Sequence, residues 1–275
     1  MTDTRTKRRI LLLTGCPRSG TTALASLLNH HPEVAVSNER YSKLVGRPEF
    51  GAQLFEPERF CRFEEGDCAR AAFDSAVTTW ARNKAPNVSV LGDKIPNAKR
   101  VLASLDRFDA AKVIIILRSP FSVAASFQQR ADRAAVIGEA KEHWPVAWDY
   151  VEATRQFNQT VDAVRDFASR QSAASAGSSI SYLVVNYEDI FRADSDLDPI
   201  FEFIGVDPSL FPRGSDPVVA TLGQTGAGRS RAAAIERHVA LNADFDGFRE
   251  IAKLSVRSAA DKLPGAAPET VGGPH

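Results

Sequence analysis

The chain has 275 residues, and its 34 Lys and Arg offset its 34 Asp and Glu, leaving a formal net charge of zero. That balance excludes a dedicated nucleic-acid binder, which carries a strongly basic face, while the length allows a full core. Three cysteines, Cys16, Cys61 and Cys68, give neither a disulfide framework nor a metal-ligand spacing, so a reducing cytoplasm is the expected location and no metal is expected.

In chain order, Lys7-Arg8-Arg9 reads as a short solvated arm. With the four apolar residues after it, the arm is too short for a signal peptide. No apolar run approaches membrane-spanning length. Strands are predicted at 10–15, 34–37, 88–92, 112–117 and 181–186. Helices are predicted near 20–30, 67–84, 96–106, 119–132, 140–170, 197–204 and 244–258. Alternation of this kind defines an α/β fold of three layers: a central parallel β-sheet flanked by helices, P-loop-NTPase-like, with ligands at the carboxyl ends of the strands. Residues 1–263 read as one domain and 264–275, rich in Pro, Gly and Ala, as a disordered tail. Frequent Ala and Arg with few Lys suggest a bacterial source. Residues 40–66 read as an irregular insertion over the site, suited to acceptor contacts.

The most informative stretch is Ile10 to Thr22. An apolar run ends at Gly15, a loop of Cys16-Pro17-Arg18-Ser19-Gly20 follows, and Thr21-Thr22 opens a helix with Leu24, Leu27 and Leu28 on one face. Strand, tight loop and helix N-terminus make an anion cradle of backbone N–H groups. The frame is G-x-x-x-x-G-x-T, in which Thr21 stands where a nucleoside triphosphatase has Lys and the cation has moved to Arg18. Such a loop is poorly equipped for a γ-phosphate with Mg²⁺.

A second element begins where the β-branched run ends at Leu117. Arg118 is followed by the N-cap and N1 pair Ser119-Pro120, and Ser122, Ser126 and Arg130 recur every four residues on one helical face. Arg118, Ser126 and Arg130 offer two guanidinium forks and a hydroxyl, enough for a phosphomonoester. The alternative is a surface pairing of these arginines with Asp132 or Glu142.

Together the two elements resemble those of the sulfotransferase superfamily, which uses 3′-phosphoadenosine 5′-phosphosulfate. The loop Pro17-Arg18-Ser19-Gly20-Thr21-Thr22 is similar to the one that holds the 5′-phosphosulfate in that family. Arg118 and Ser126 match the pair that holds its 3′-phosphate. The chain is more similar still to the branch containing tyrosylprotein sulfotransferases and many bacterial enzymes. There the stretch matching His31-Pro32 to Glu39 ends in a catalytic Glu, Lys94 of Asp93-Lys94-Ile95-Pro96 matches a Lys before a Pro, and Arg130 and Tyr187-Glu188 also find counterparts. The resemblance spans roughly residues 10–190. It implies sulfuryl transfer from that donor to a hydroxyl or amine, with Glu39 as base and Arg18 and Lys94 stabilising the transferring group. The acceptor it implies is a small molecule, carbohydrate or lipid, with a peptide also possible; the oligomeric state is left open.

Other residues carry two readings each. Glu39 taken alone would be a surface carboxylate paired with Arg40 or Lys43. Glu33 reads as a surface residue after Pro32. His30 and His31 are alternative bases or helix-end caps. His143 and His238 have no partner at a recognisable spacing. Tyr187 contacts an adenine or simply packs. Leu222 to Arg229, including Gly226, closes over nucleotide phosphates or is a plain turn. Phe55, Phe60 and Phe63 line an acceptor pocket or form a satellite core; Trp144 and Trp148 read as core on the long helix. The rival functions are a P-loop nucleotide kinase, which would want Lys at Thr21 and a strand-end Asp for Mg²⁺, and a non-catalytic nucleotide-binding protein, which would need neither Glu39 nor Lys94.

Overall fold

The computed structural model describes residues 8–173, 179–191, 195–212 and 233–255. Five strands, β1 (Arg9–Gly15), β2 (Val34–Asn38), β3 (Val90–Lys94), β4 (Ala111–Leu117) and β5 (Ile180–Asn186), lie in one sheet in the order β2-β3-β1-β4-β5. All four pairings are parallel. The strands are continuous apolar runs because both sheet faces are covered. On one face Leu11, Leu13, Val36, Ile114 and Ile116 pack beneath α1 (Thr21–Leu28). On the other, Leu12, Leu91, Val113 and Ile115 join the residues of the helical layer. The chain leaves β1 toward β2 and β3 on one side and reaches β4 and β5 on the other. The carboxyl end of β1 is therefore the switch point at which such sheets bind ligands.

All five predicted strands form. β3 runs two residues beyond the expected end, because Leu13 and Asn38 both pair with Lys94 and draw it into the sheet. The helices differ more. The stretch 40–66 is mostly turns and bends, as expected, with a 3₁₀ turn at Ala52–Phe55 and a short helix, α2 (Pro57–Cys61), set into it. The predicted helix 67–84 is two, α3 (Arg70–Phe73) and α4 (Ala76–Lys84), because the Ser75 hydroxyl accepts from the Thr78 amide and restarts the helix. Helix 96–106 shortens to α5 (Ala98–Leu102) before a 3₁₀ turn. The helix after β4, α6 (Pro120–Ile137), runs past its expected end until Gly138 stops it at φ 94°. Ser119 takes the N-cap position, but its side chain makes no capping bond.

The predicted helix 140–170 is also interrupted. α7 (Glu139–Glu142) ends at His143 in the left-handed region, Pro145 follows, and Asp149 accepts from the Val151 and Glu152 amides to start α8 (Tyr150–Ala173). Trp144 and Trp148 thus lie in the connection, not on the long helix. Trp144 packs edge-on to Phe127, and Trp148 is exposed. After β5 come α9 (Tyr187–Ile190), α10 (Asp198–Ile204), α11 (Ala233–Asn242) and α12 (Phe245–Ala252). α9 was not legible in the pattern. Gly226 and Arg229, with the loop they belong to, and residues 264–275 lie outside the described residues.

Candidate active site

The loop after β1 is held from within and from below. Ser19 is buried, its amide and its hydroxyl both donating to the Cys16 carbonyl, and Thr14 ties the strand end to the Ile95 carbonyl at 2.8 Å. Arg18 and Gly20 both adopt positive φ, 69° and 97°, which turns the chain back onto α1. No side chain caps α1, so its first N–H groups point into the loop. Thr21 is buried and Thr22 exposed, while Pro17 is half-buried beside Arg18. The Tyr187 ring lies so close to Gly20 that any Cβ there would drive into it. Gly20→Ala therefore combines a left-handed backbone with a ring clash. It should cost roughly 1–3 kcal/mol, read as a lower unfolding midpoint; an unchanged midpoint would mean that Tyr187 does not fix the loop.

The second element meets the first here. Arg18 Nε donates to Ser126 Oγ at 3.0 Å, and Arg118 Nη1 donates to the Arg18 carbonyl at 3.1 Å. The Arg118 guanidinium lies 4.1 Å from the centre of the Tyr187 ring, so Tyr187 packs under both elements. Among the described residues, Arg118 Nε is a buried donor without an acceptor. Arg130 is tied to Glu142: Nε to the carboxylate at 2.9 Å and Nη2 to the carbonyl at 2.8 Å. The pairing with Glu142 weighed from the sequence thus forms, and the one with Asp132 does not, because Asp132 accepts from Gln128. Arg18 is held below the ordinary arginine value, first by partial withdrawal from water, then by the charges of Arg130 and Arg118, with Glu142 opposing. Two further cations and one carboxylate thus surround Arg18.

Glu39 and Lys94 stand at the adjacent strand ends. Lys94 is buried, and its ammonium donates to Glu39 Oε1 at 2.8 Å, while the Glu39 side chain is 39% exposed. Arg40 and Lys43, the alternative partners for Glu39, are engaged elsewhere: Arg40 with Asp67 at 2.5 Å, Lys43 with the Glu65 carbonyl. Arg40 is fully buried, and Arg59 grips the same Asp67 carboxylate from outside. This cluster, with Tyr41 against Phe55 and Phe60, pins the 40–66 stretch to the sheet. Phe55 and Phe60 are core residues, and Phe63 packs on Phe73.

His31 lies at the amino end of β2, the edge opposite Glu39. It is buried, its Nδ1 accepts from the Glu33 amide, and its Nε2 meets the Asp207 carbonyl at 2.9 Å. His30 packs edge-on against Trp80. Neither reaches the loop, so both lose their standing as bases. Glu33 is not a bare surface residue, since Ser89 donates to its carboxylate. His238 packs against Tyr150.

One residue beside the site reads in the sequence only as part of Asp93-Lys94-Ile95-Pro96, without a role of its own. Asp93, fully buried, accepts from Ser37 Oγ, the Arg40 amide and the Tyr41 amide at 2.8–3.0 Å. Burial pushes its carboxyl up to about 6, against the pull of those three bonds and of Lys94. A carboxylate inside a strand buried on both faces was the available clue. Among the described residues no group of His, Cys, Asp or Glu could hold a metal ion, and no helix is long and apolar enough to cross a membrane.

The fold is that of an α/β protein whose parallel sheet presents at its carboxyl ends an uncapped helix, Arg18 bonded to Ser126 and braced by Arg118 through its carbonyl, and a Lys94–Glu39 pair. Residues 11–209 match the family described as Sulfotransferase family, and the chain belongs to it. Over 131 residues it is 31% identical to nodulation protein NoeE of Sinorhizobium fredii (strain NBRC 101917 / NGR234), a match covering 43% of this chain and 31% of that protein. The chain thus spans about a third of that relative's length. Among solved structures it is similar to the sulfotransferase domain of the Synechococcus PCC 7002 olefin synthase (21% identity, TM-score 0.45, covering 94% of this chain and 98% of that one). It is also similar to a sulfotransferase from Alicyclobacillus acidocaldarius (16% identity, TM-score 0.46, covering 88% and 99%).

Proposed function

We propose that the chain transfers a sulfuryl group from 3′-phosphoadenosine 5′-phosphosulfate to a hydroxyl or amine of a small-molecule, carbohydrate, lipid or peptide acceptor. The observation that carries this reading is the joined arginine site. Arg18 and Arg118 come from elements a hundred residues apart, yet Arg118 bonds the Arg18 carbonyl, Arg18 bonds Ser126, and among the described residues the Arg118 Nε has no acceptor. The residues fit the donor. The Pro17–Thr22 loop and the N-terminus of α1 would hold the 5′-phosphosulfate. Arg118 and Ser126 would hold the 3′-phosphate, with Arg130 beside them steadied by Glu142. Tyr187 would support the nucleotide from below.

The donor supplies an activated sulfuryl group whose bond to phosphate breaks as the bond from sulfur to the acceptor oxygen or nitrogen forms. Glu39, at the adjacent strand end and open to solvent, takes the acceptor's proton. Lys94 steers the Glu39 carboxylate with one of its three N–H groups. It and Arg18 stabilise charge on the sulfuryl and leaving oxygens.

Titration calorimetry tests the donor half. Adenosine 3′,5′-bisphosphate, the product of the proposed transfer, should bind with equal affinity with and without Mg²⁺, and ATP should not bind. Mg²⁺-dependent ATP binding would instead favour the kinase reading. Acceptor classes screened with radiolabelled donor test the transfer itself, and binding without any transfer would leave a nucleotide-binding protein.

A further inference from the structure

Glu39 occupies a position that its own residue type does not favour. Its φ of 57° is left-handed, a conformation that a non-glycine residue keeps only when its surroundings impose it. The imposing groups come from β3. The Asp93 carboxylate takes the Ser37 hydroxyl on one side of Glu39 and the Arg40 and Tyr41 amides on the other. The next residue, Lys94, accepts the Glu39 amide on its carbonyl at 2.8 Å and holds the Glu39 side chain with its ammonium. Two consecutive residues of one strand thus fix both the backbone and the carboxylate of Glu39.

Asp93 itself is fully buried and faces the turn. Neither donor nor acceptor can reach it, so any influence on the reaction passes through Glu39. Its chemistry suits that task. Three donors converge on two oxygens of one short side chain, whereas an amide would leave an N–H₂ facing one of the backbone amides. An apolar residue would leave the Arg40 and Tyr41 amides without this acceptor in a dry place, where each is costly, and the Ser37 hydroxyl with the Gly92 carbonyl at 3.3 Å. We infer that Asp93 is a positioning residue that holds the Glu39 carboxylate at the angle needed to take the acceptor's proton. This rests on the reading of Glu39 as the base.

A double-mutant cycle separates positioning from simple scaffolding. The readout is release of inorganic sulfate from radiolabelled donor with water as the acceptor, beside the affinity for adenosine 3′,5′-bisphosphate. Asp93→Asn should lower sulfate release by about 10²-fold, as displaced catalytic groups do, while leaving the bisphosphate affinity within about 3-fold. In a Glu39→Gln background the same change should cost less than about 3-fold, because the group it positions is already gone. Equal losses in both backgrounds, or a parallel loss of bisphosphate affinity, would overturn the assignment. A Glu39→Gln protein with normal sulfate release would instead sink the base reading, whatever Asp93→Asn does. If Asp93→Asn fails to fold, Ser37→Ala removes only one of the three bonds. It should show the same pattern at smaller size; additive losses from Ser37→Ala and Glu39→Gln would overturn the inference equally well.

Discussion

Glu39→Gln should lower the rate of the proposed transfer by roughly 10²–10⁴, with fold and donor affinity preserved. The amide keeps the shape of the side chain and can still meet Lys94 through its carbonyl oxygen. It cannot take a proton. Among the described residues the side chain bonds to Lys94 through Oε1, and the Gln carbonyl can keep that hydrogen bond to the buried ammonium, so the fold should hold. Arg18→Ala behaves differently. Arg18 bridges to Ser126 and lies in the loop proposed to receive the donor, so its loss should damage affinity as well as rate. Steady-state kinetics with saturating donor, read with the bisphosphate affinity of each variant, separates the two patterns. Near-normal turnover in Glu39→Gln would end the assignment. His31 would not inherit it, since it is buried at the far end of β2 with both ring nitrogens engaged.

The parts of this molecule that were legible are those written in short-range terms. Each strand is a compact apolar run between turn residues, and Ile10–Leu13 or Val113–Leu117 can be read without knowledge of what covers them. The phosphate loop is legible for the same reason, since glycines, an arginine and helix-opening threonines lie within a few residues. The breaks in the long helices were harder. Ser75 and Asp149 are ordinary polar residues until their side chains are seen to accept helix amides. Hidden entirely were pairings across long separations. Arg40 looked like a partner for Glu39, but it is taken by Asp67, 27 residues on, and seals the 40–66 stretch into the core. Asp93 is held by amides 52 and 53 residues earlier, whereas Arg130 and Glu142, 12 residues apart, were a pairing the sequence did offer. A buried charge states that it must be paired, but not with whom.

Arg118→Ala should weaken binding of adenosine 3′,5′-bisphosphate far more than binding of adenosine 5′-phosphosulfate. Removing one charge-assisted partner of an enclosed phosphate costs on the order of 2–4 kcal/mol. That corresponds to roughly 30- to 1,000-fold in affinity. The comparison of two nucleotides is needed because Arg118 has a second role. Its Nη1 supports the Arg18 carbonyl, and its guanidinium lies on the Tyr187 ring that packs against Gly20. Its removal therefore loosens the loop that is proposed to hold the 5′ group, and that loss falls on both nucleotides alike. What remains in the ratio is the 3′-phosphate alone, matched to the buried Nε that finds no acceptor among the described residues. Equal losses for the two nucleotides would show that Arg118 only braces the loop. The 3′-phosphate would then have to be read by other groups, beginning with Arg130.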